Sequence, residues 1–294
     1  MLLCTQQLTD SQLQDLDQLL QLCEKADGGT PATYRYILKQ KRETKNTVLY
    51  YLQGKLVGLL SVYFFYEDAC EVCLLVAPEH RRHGFAYQLL ETILPLMQVK
   101  GIERLIFSSS TSFSHEWLPA KGFAYQQSEF HMERNSFETR LINNPSLVLR
   151  KASMADLPIL FTLDKACFPE QPVNMLERFT YLLEHPDYNV LLALHNGTIV
   201  GKAHIHWREE NILLSDIAVL PIYQGRGFGS ELIANCINLI LAQGKTHMAL
   251  DVETSNQNAL NLYKRHGFNT TSSYEYWTIP TANLHSAIQK RGTR

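Results

Sequence analysis

The chain has 294 residues, 45% of them hydrophobic, with 27 Lys plus Arg against 29 Asp plus Glu. This length and apolar content predict about two domains with a substantial core, and the balanced charge lacks the basic excess that nucleic-acid backbones demand. No apolar run reaches the ~20 residues of a membrane-spanning helix, the start MLLCTQQLTDS lacks the basic and long apolar regions of a leader, and six scattered cysteines suit a reducing cytoplasm.

In chain order, a weak strand precedes a helix carrying Leu13, Leu16, Leu19, Leu20 and Leu22, with Asp10 or Ser11 as its cap. NTVLYYLQ and KLVGLLSVYFF read as two strands turned at Gln53 and Gly54. Cys70 to Gly101 reads as strand, proline, loop and helix, with Arg81, Gly84 and Ala86 in the loop, and RLIFSS and GFAYQQSEFHME close this half. INNPS, at Ile142 to Ser146, breaks all periodicity. It separates a first domain, 1–141, from a second, 147–279, and the polar, basic-ended 280–294 reads as a loosely held tail.

The second half opens with LVLRK, followed by helices near Asp156 to Cys167 and Met175 to His185. YNVLLALH and TIVGKAHIHW are joined by Asn196 and Gly197, a strong hairpin signal. From Leu213 an apolar strand runs to Pro221, a turn follows (Gln224, Gly225, Arg226, Gly227, Phe228, Gly229), and Phe228, Leu232, Cys236 and Ile240 recur at helical spacing up to Gly244. HMALDVE is a strand, and NALNLYKRHGF a short helix ended by Gly267 and Phe268. Gly54 and Gly197, Gly58 and Gly201, Pro78 and Pro221, Gly84 and Gly227, and Gly101 and Gly244 are all 143 residues apart, so the chain repeats a whole domain. Each copy reads as a mixed sheet with helices on both faces, an α/β (α+β) fold.

A glycine-rich turn opening a helix aims several N–H groups into one concavity, together with the positive end of the helix dipole. That is an anion site suited to a pyrophosphate. The spacing Q-x-x-G-x-G has no G-K-[ST] for a P-loop, and GRGFGS is not the G-x-G-x-x-G of a dinucleotide fold. It resembles the pyrophosphate loop of the GNAT superfamily of N-acetyltransferases. LDVETSNQNALNLYKRHGF is in turn similar to the RimI-type pattern of strand, Asn and A-x-x-L-Y-x-x-x-G-F helix.

The resemblance implies two tandem GNAT-type domains, each with a mostly antiparallel, splayed sheet, and acetyl-CoA as cosubstrate with no metal. It places the backbone of Ile217, Ala218 and Val219 on the pantetheine and the thioester oxygen. The turn from Gln224 through Gly225, Arg226, Gly227, Phe228 and Gly229 to Ser230 would hold the pyrophosphate. Asn256 would hold the pantetheine arm or the helix start, and Tyr263 would sit beside the sulfur.

Acetyl transfer to an amine needs a proton acceptor and a proton donor. A phenol titrates near about 10, so Tyr263 is protonated at neutral pH and is the expected acid. For the base Asp251 ranks first, then Asp216, with Glu253 third, each acting directly or through water because an ordinary Asp titrates near ~4. Cys70 and Cys73, three apart on a strand, face opposite sides and suit a core better than a metal. His204 and His206 share a strand face without a third ligand and are expected to line an acceptor groove. Cys167 and Cys236 have no paired base, which disfavours an acetyl-cysteine route.

At the repeat offset Ser108 replaces Asp251, Phe113 replaces Asn256 and Ala120 replaces Tyr263; aligning Gly122 with Gly267 gives Leu118 instead. The first copy is therefore expected to be degenerate, with Arg81, Gly84 and Ala86 either still holding CoA or kept only for the turn. The acceptor is an amine on a protein N-terminus, a peptide or a small molecule, and CFPEQP (Cys167 to Pro172) resembles the acceptor-side loop of RimI-type proteins. The expected protein is a cytoplasmic monomer with its two domains packed together and no nucleic-acid or membrane partner. A host cytoplasm would apply to a delivered bacterial protein. The alternative function is a non-catalytic acyl-CoA-binding or interaction module.

Overall fold

The computed structural model describes residues 1–110, 117–168, 175–208 and 211–289. In chain order the elements are β1 (Leu2–Thr5), α1 (Asp10–Asp27), α2 (Arg35–Leu38), β2 (Thr47–Leu52), β3 (Lys55–Tyr63), β4 (Ala69–Val76), α3 (Phe85–Val99), β5 (Arg104–Ser110), α4 (Trp117–Ala120) and β6 (Ala124–Asn135). They continue as β7 (Val148–Lys151), α5 (Leu157–Cys167), α6 (Met175–Glu184), β8 (Tyr188–His195), β9 (Thr198–Trp207), β10 (Ile212–Val219), α7 (Phe228–Ala242), β11 (His247–Glu253), α8 (Gln257–Arg265), β12 (Asn269–Pro280) and α9 (Thr281–Gln289).

Two compact units result, and they are not the two contiguous halves that the repeat suggests. One holds residues 1–128 and 272–294, the other 129–271. The first unit's sheet runs β1-β2-β3-β4-β5-β12, the second's β6-β11-β10-β9-β8-β7. Each half therefore sends its last strand into the other unit: β12 pairs antiparallel with β5 from Tyr274 opposite Ser110 to Pro280 opposite Arg104, and β6 with β11 from His247 opposite Asn135 to Glu253 opposite Glu129. The boundary at Ile142 to Ser146 lies on a segment wholly inside the second unit.

Helices cover both faces of each sheet, as the periodicity predicts. In the first unit Leu16 and Leu19 of α1 pack with Leu59 and Cys73, and on the opposite face Leu89 and Ile93 of α3 pack with Cys70 and Val72. Cys70 and Cys73 thus enter opposite cores as free, buried thiols. In the second unit Leu160 and Phe179 of α5 and α6 pack on Leu192, while Leu232, Cys236 and Ile240 of α7 pack with Leu214, Leu250 and Phe268.

Two local expectations change. Thr9 caps α1, one residue before the expected position: its hydroxyl accepts from the Gln12 N–H at 3.3 Å while the Gln12 side chain accepts from the Thr9 N–H at 3.0 Å. The tail forms helix α9 as far as Gln289, and Leu284 is fully buried against Trp277 and Ile279, so one apolar residue per turn docks a segment whose composition is polar. Among the described residues no helix is long and apolar enough to cross a membrane.

Candidate active site

In the second unit the parallel ladder between β10 and β11 contains only Ile212 opposite Met248 and Leu213 opposite Ala249. Beyond these pairs the strands part. On its other edge β10 stays paired with β9 but carries a bulge between Ser215 and Ala218, where Asp216 takes φ +49°. An extra residue re-aims a strand, and this one bends β10 where the wedge opens. Gly201 faces the bulge, and a Cβ there would lie 2.4 Å from the Ala218 carbonyl oxygen. The Leu220 N–H donates to the Val200 carbonyl at 2.9 Å. Strand alternation then turns the Val219 N–H toward the parted edge.

The turn after β10 is fastened to that strand. Gln224 Nε2 donates to the Val219 carbonyl at 2.9 Å, and Gly225 and Gly227 adopt φ +74° and +86°. A Cβ on either glycine would meet no atom within 4 Å, so the backbone angle, not crowding, demands glycine and leaves the concavity open. Gly227 is the N-cap of the fifteen-residue helix α7 and supplies no side-chain cap, so the first N–H groups of that helix face outward. The Phe228 side chain enters the core, Arg226 lies over the Tyr223 ring, and the Ser230 hydroxyl bonds His266 Nε2 at 2.8 Å. What this turn offers an anion is its backbone.

Helix α8 presents Tyr263. Asn256 starts the helix, its Oδ1 accepting from the Ala259 N–H at 3.0 Å, which is the helix-start role of the two expected for it. Tyr263 is 7% exposed, and burial pushes its phenol up to about 12. Its hydroxyl has no hydrogen-bond partner among the described residues. The far end of α8 is held by two cations that single-motif reading overlooks: the His266 carbonyl accepts from Arg134 Nε at 3.1 Å and from Arg140 Nη2 at 2.7 Å. A Cβ on Gly267 would lie 2.4 Å from that Arg140 nitrogen, so the Gly that follows the tyrosine makes room for the clamp.

The candidate bases part company here. Asp251 stands on β11 just past the last ladder pair, with its side chain 46% exposed. Asp216 is enclosed: its Oδ2 lies 3.2 Å from His204 Nδ1, its Oδ1 2.5 Å from Arg178 Nη2 and 3.7 Å from Lys202 Nζ. Lys202, fully buried, also pairs with Asp164 and lies 3.3 Å from His204 Nε2. Burial lowers His204 and keeps it neutral, so Nε2 accepts from the ammonium and Nδ1–H donates to Asp216. Burial alone would raise Asp216, but its electrostatic interaction and hydrogen bond with His204, followed by the Lys202 and Arg178 charges, outweigh it and hold the carboxyl well below its ordinary value. A carboxylate so held is a poor proton acceptor and a good anchor for the bulge. His206 stacks on Tyr188 at 4.0 Å and is 5% exposed, so neither histidine lines an open groove.

Asp164→Ala is expected to cost about 3 kcal/mol in chemical denaturation, because Lys202 would stay buried without its nearer counter-ion and with only Asp216, at 3.7 Å, in its place. The Asp216 contribution has the sign of a depressed acid: it is complete above the ordinary value near ~3.9 and is lost as pH falls through the folded value. Melting profiles of the parent and Asp216→Asn should therefore converge at low pH.

The first unit repeats the frame. Arg81 Nε donates to the Val76 carbonyl at 3.0 Å as Gln224 does to Val219, and Cys23 Sγ reaches that carbonyl at 3.6 Å as Cys167 reaches its own at 3.7 Å. Gly84 has φ +86°, like Gly227. The ladder of β4 with β5 likewise stops, at Val72 opposite Phe107, but β4 pairs with β3 without a bulge. The chain's own Gly29 to Tyr34 spans the gap: the Ala32 N–H donates to Ser108 Oγ at 2.8 Å, Thr33 Oγ1 lies 3.4 Å from Cys73 Sγ, and a Cβ on Gly29 would meet Ser110 Oγ at 2.6 Å. The Arg81 guanidinium is committed to Asp27 by two bonds of 2.6 Å. Phe113 and Pro169 to Pro172 of CFPEQP lie outside the described residues.

A bulged strand parting from its parallel neighbour, a glycine turn capping the next helix, and a buried phenol on the helix after that define the architecture of an acyltransferase. The chain belongs to the Acetyltransferase (GNAT) family, which it matches twice, over residues 13–123 and 157–268. It is 37% identical over 117 residues to "N-alpha-acetyltransferase MAK3" of Arabidopsis thaliana, a stretch that is 38% of this chain and 60% of that protein. It is 32% identical over 102 residues to "[Ribosomal protein bS18]-alanine N-acetyltransferase" of Haemophilus influenzae, 34% of this chain and 69% of the other. The match to "Thialysine N-epsilon-acetyltransferase" of Bos taurus, 37% over 71 residues, covers 24% of this chain and 42% of that one. Among solved structures, a GCN5-related N-acetyltransferase from Sphaerobacter thermophilus superposes with a TM-score of 0.75 at 16% identity, covering 95% and 96% of the two chains. A tandem GNAT protein from the clavulanic acid biosynthesis pathway gives 0.67 at 15%, covering 96% and 99%.

Proposed function

We propose that the second unit is an acetyl-CoA-dependent N-acetyltransferase and that the first is a non-catalytic partner domain. The observation carrying this reading is that the parted strands, the open α7 N-terminus and Tyr263 stand together in one unit, while the first unit bridges its own gap and has Ala120 or Leu118 where the phenol would be. The pyrophosphate is assigned to the N–H groups from Gly225 to Ser230 and the pantetheine to the parted edge of Ile217, Ala218 and Val219. A donor from that edge polarises the thioester carbonyl as charge develops on its oxygen.

Asp251 is the carboxylate at which the acceptor ammonium is drawn in and gives up its proton. The free amine attacks the thioester carbonyl carbon, the C–S bond breaks as Tyr263 gives its proton to the leaving sulfur, and the second proton that the acylated nitrogen sheds to become the amide restores the Tyr263 phenol. The acceptor is a primary amine. Relatives named for α-amino, alanine and thialysine ε-amino acetylation support both the peptide and the small-amine choice. The test is acetyl-CoA consumption measured over N-terminal peptides, lysine peptides, polyamines and aminoglycosides side by side. One class is expected to stand out, and no consumption with any of them would overturn the reading.

The two units should also separate cleanly. Gly84→Val is expected to leave turnover within about twofold of the parent, because the first unit's turn serves no reaction. Calorimetry with CoA should give one strong site in both the parent and this variant.

A further inference from the structure

His131 stands in the second unit although it belongs to the first half of the sequence, carried there on β6. It lies directly opposite Asp251 in the antiparallel pairing with β11, and its Nδ1 is 2.7 Å from Asp251 Oδ1. Glu133, two residues on and on the same strand face, has Oε1 3.4 Å from Nε2, and its other oxygen meets His247 Nε2 at 3.1 Å. The imidazole is enclosed, at 22% side-chain exposure, while Asp251 opens to solvent at the parted edge.

We propose that His131 is the proton-accepting partner of Asp251, so that the exchanged strand of the degenerate first copy supplies a working residue of the active site. This rests on the acetyltransferase reading above. A lone carboxylate titrates near ~4 and takes a proton from an ammonium poorly, whereas an imidazole oriented by a carboxylate takes one near neutral pH. Nδ1 keeps its proton and donates to Asp251, the short contact. Nε2 holds the lone pair, since 3.4 Å to Glu133 is longer than a normal hydrogen bond. The proton leaves the acceptor ammonium at Asp251, is handed on by water and ends on Nε2. The N–H electron pair becomes the lone pair of the attacking amine, and the imidazolium returns the proton to solvent. Asp251 fixes the tautomer and balances the imidazolium, the role a carboxylate plays behind a catalytic histidine.

The charged groups facing the imidazole are Asp251 from β11 and Glu133 from β6, with His247 behind Glu133. Burial lowers the imidazole, but the hydrogen bond and charge of Asp251, with Glu133 added, outweigh it and raise His131 above its ordinary value. The neutral form needed for proton acceptance therefore accumulates only as pH rises through that raised value. This gives kcat/KM an acid limb.

His131→Asn tests the idea, because its amide still donates to Asp251 but cannot take up a proton. With whichever amine class the screen selects, kcat/KM is expected to fall about 100-fold near neutral pH, with the KM for acetyl-CoA unchanged and the acid limb gone or moved down by more than about one pH unit. NMR titration of the His131 ring, which needs no acceptor, should give a value above about 6.5 that matches the kinetic limb and drops in Asp251→Asn. An unchanged acid limb in folded His131→Asn, or a ring that titrates at or below the ordinary value, overturns the proposal. A parent whose ring titrates as expected but which consumes no acetyl-CoA with any amine overturns the acetyltransferase reading, and the role of His131 falls with it.

Discussion

Gly227→Val is expected to abolish acetyl-CoA binding and turnover together. The residue caps α7 at φ +86°, an angle that a β-branched side chain tolerates badly, at a cost of roughly 1–3 kcal/mol. The space around a Cβ there is empty of protein atoms. That emptiness is where a pyrophosphate would approach the backbone N–H groups, so the valine methyls would strain the turn and fill the site at once. Each ~1.4 kcal/mol is tenfold in affinity, and the combined effect should exceed about 100-fold in Kd by calorimetry. Gly227→Ala, with the strain but not the branch, should fall between. If folded Gly227→Val binds within about threefold of the parent, the turn is not the pyrophosphate site. Loss of activity in folded Gly84→Val with retention in Gly227→Val would reverse the assignment of the active unit.

Tyr263→Phe is expected to reduce kcat by about 10²–10³-fold, or roughly 2.7–4 kcal/mol of transition-state stabilisation, with acetyl-CoA affinity near that of the parent. The selectivity of the effect follows from the environment. The phenol is buried and its hydroxyl has no protein partner among the described residues, so phenylalanine keeps the packing against Phe268, whose ring centroid is 6.2 Å away. Only the proton given to the leaving sulfur is removed. Because burial pushes the phenol up to about 12, Tyr263 stays protonated across the working range and should add no alkaline limb to the parent's rate profile below about pH 10. Equal losses in binding and turnover would mean that the tyrosine is a packing residue.

Much of this site was legible in the sequence because its requirements are local. A backbone at positive φ favours glycine, so Gly225, Gly227 and Gly84 marked both turns, and a helix start favours a side-chain acceptor, so Asn256 marked α8. Hydrophobic periodicity reported which helix faces are buried, and the common offset of the glycines and prolines reported the duplication. The phenol was marked by resemblance, because Asn256, Tyr263 and Gly267 stand at the spacing of the RimI-type pattern.

Other features depended on partners far apart in the chain. The alternation of β6 and β12 says that each is a strand, but backbone N–H and C=O groups are the same in every strand and do not name the neighbour they will bond. Only the tertiary structure placed β6 against β11, brought His131 to Asp251 across 120 residues, and moved each half's last strand into the other unit. Asp216 illustrates the same limit: the sequence offers a carboxylate beside the motif strand, and only the folded cluster of Lys202, His204 and Arg178 turns it from a base into an anchor. The sequence alone therefore determined the turns, caps and buried faces, which are properties of a few consecutive residues. The folded chain decided which strands meet and which charges face one another, because hydrogen-bond and Coulomb partners are chosen by distance in space.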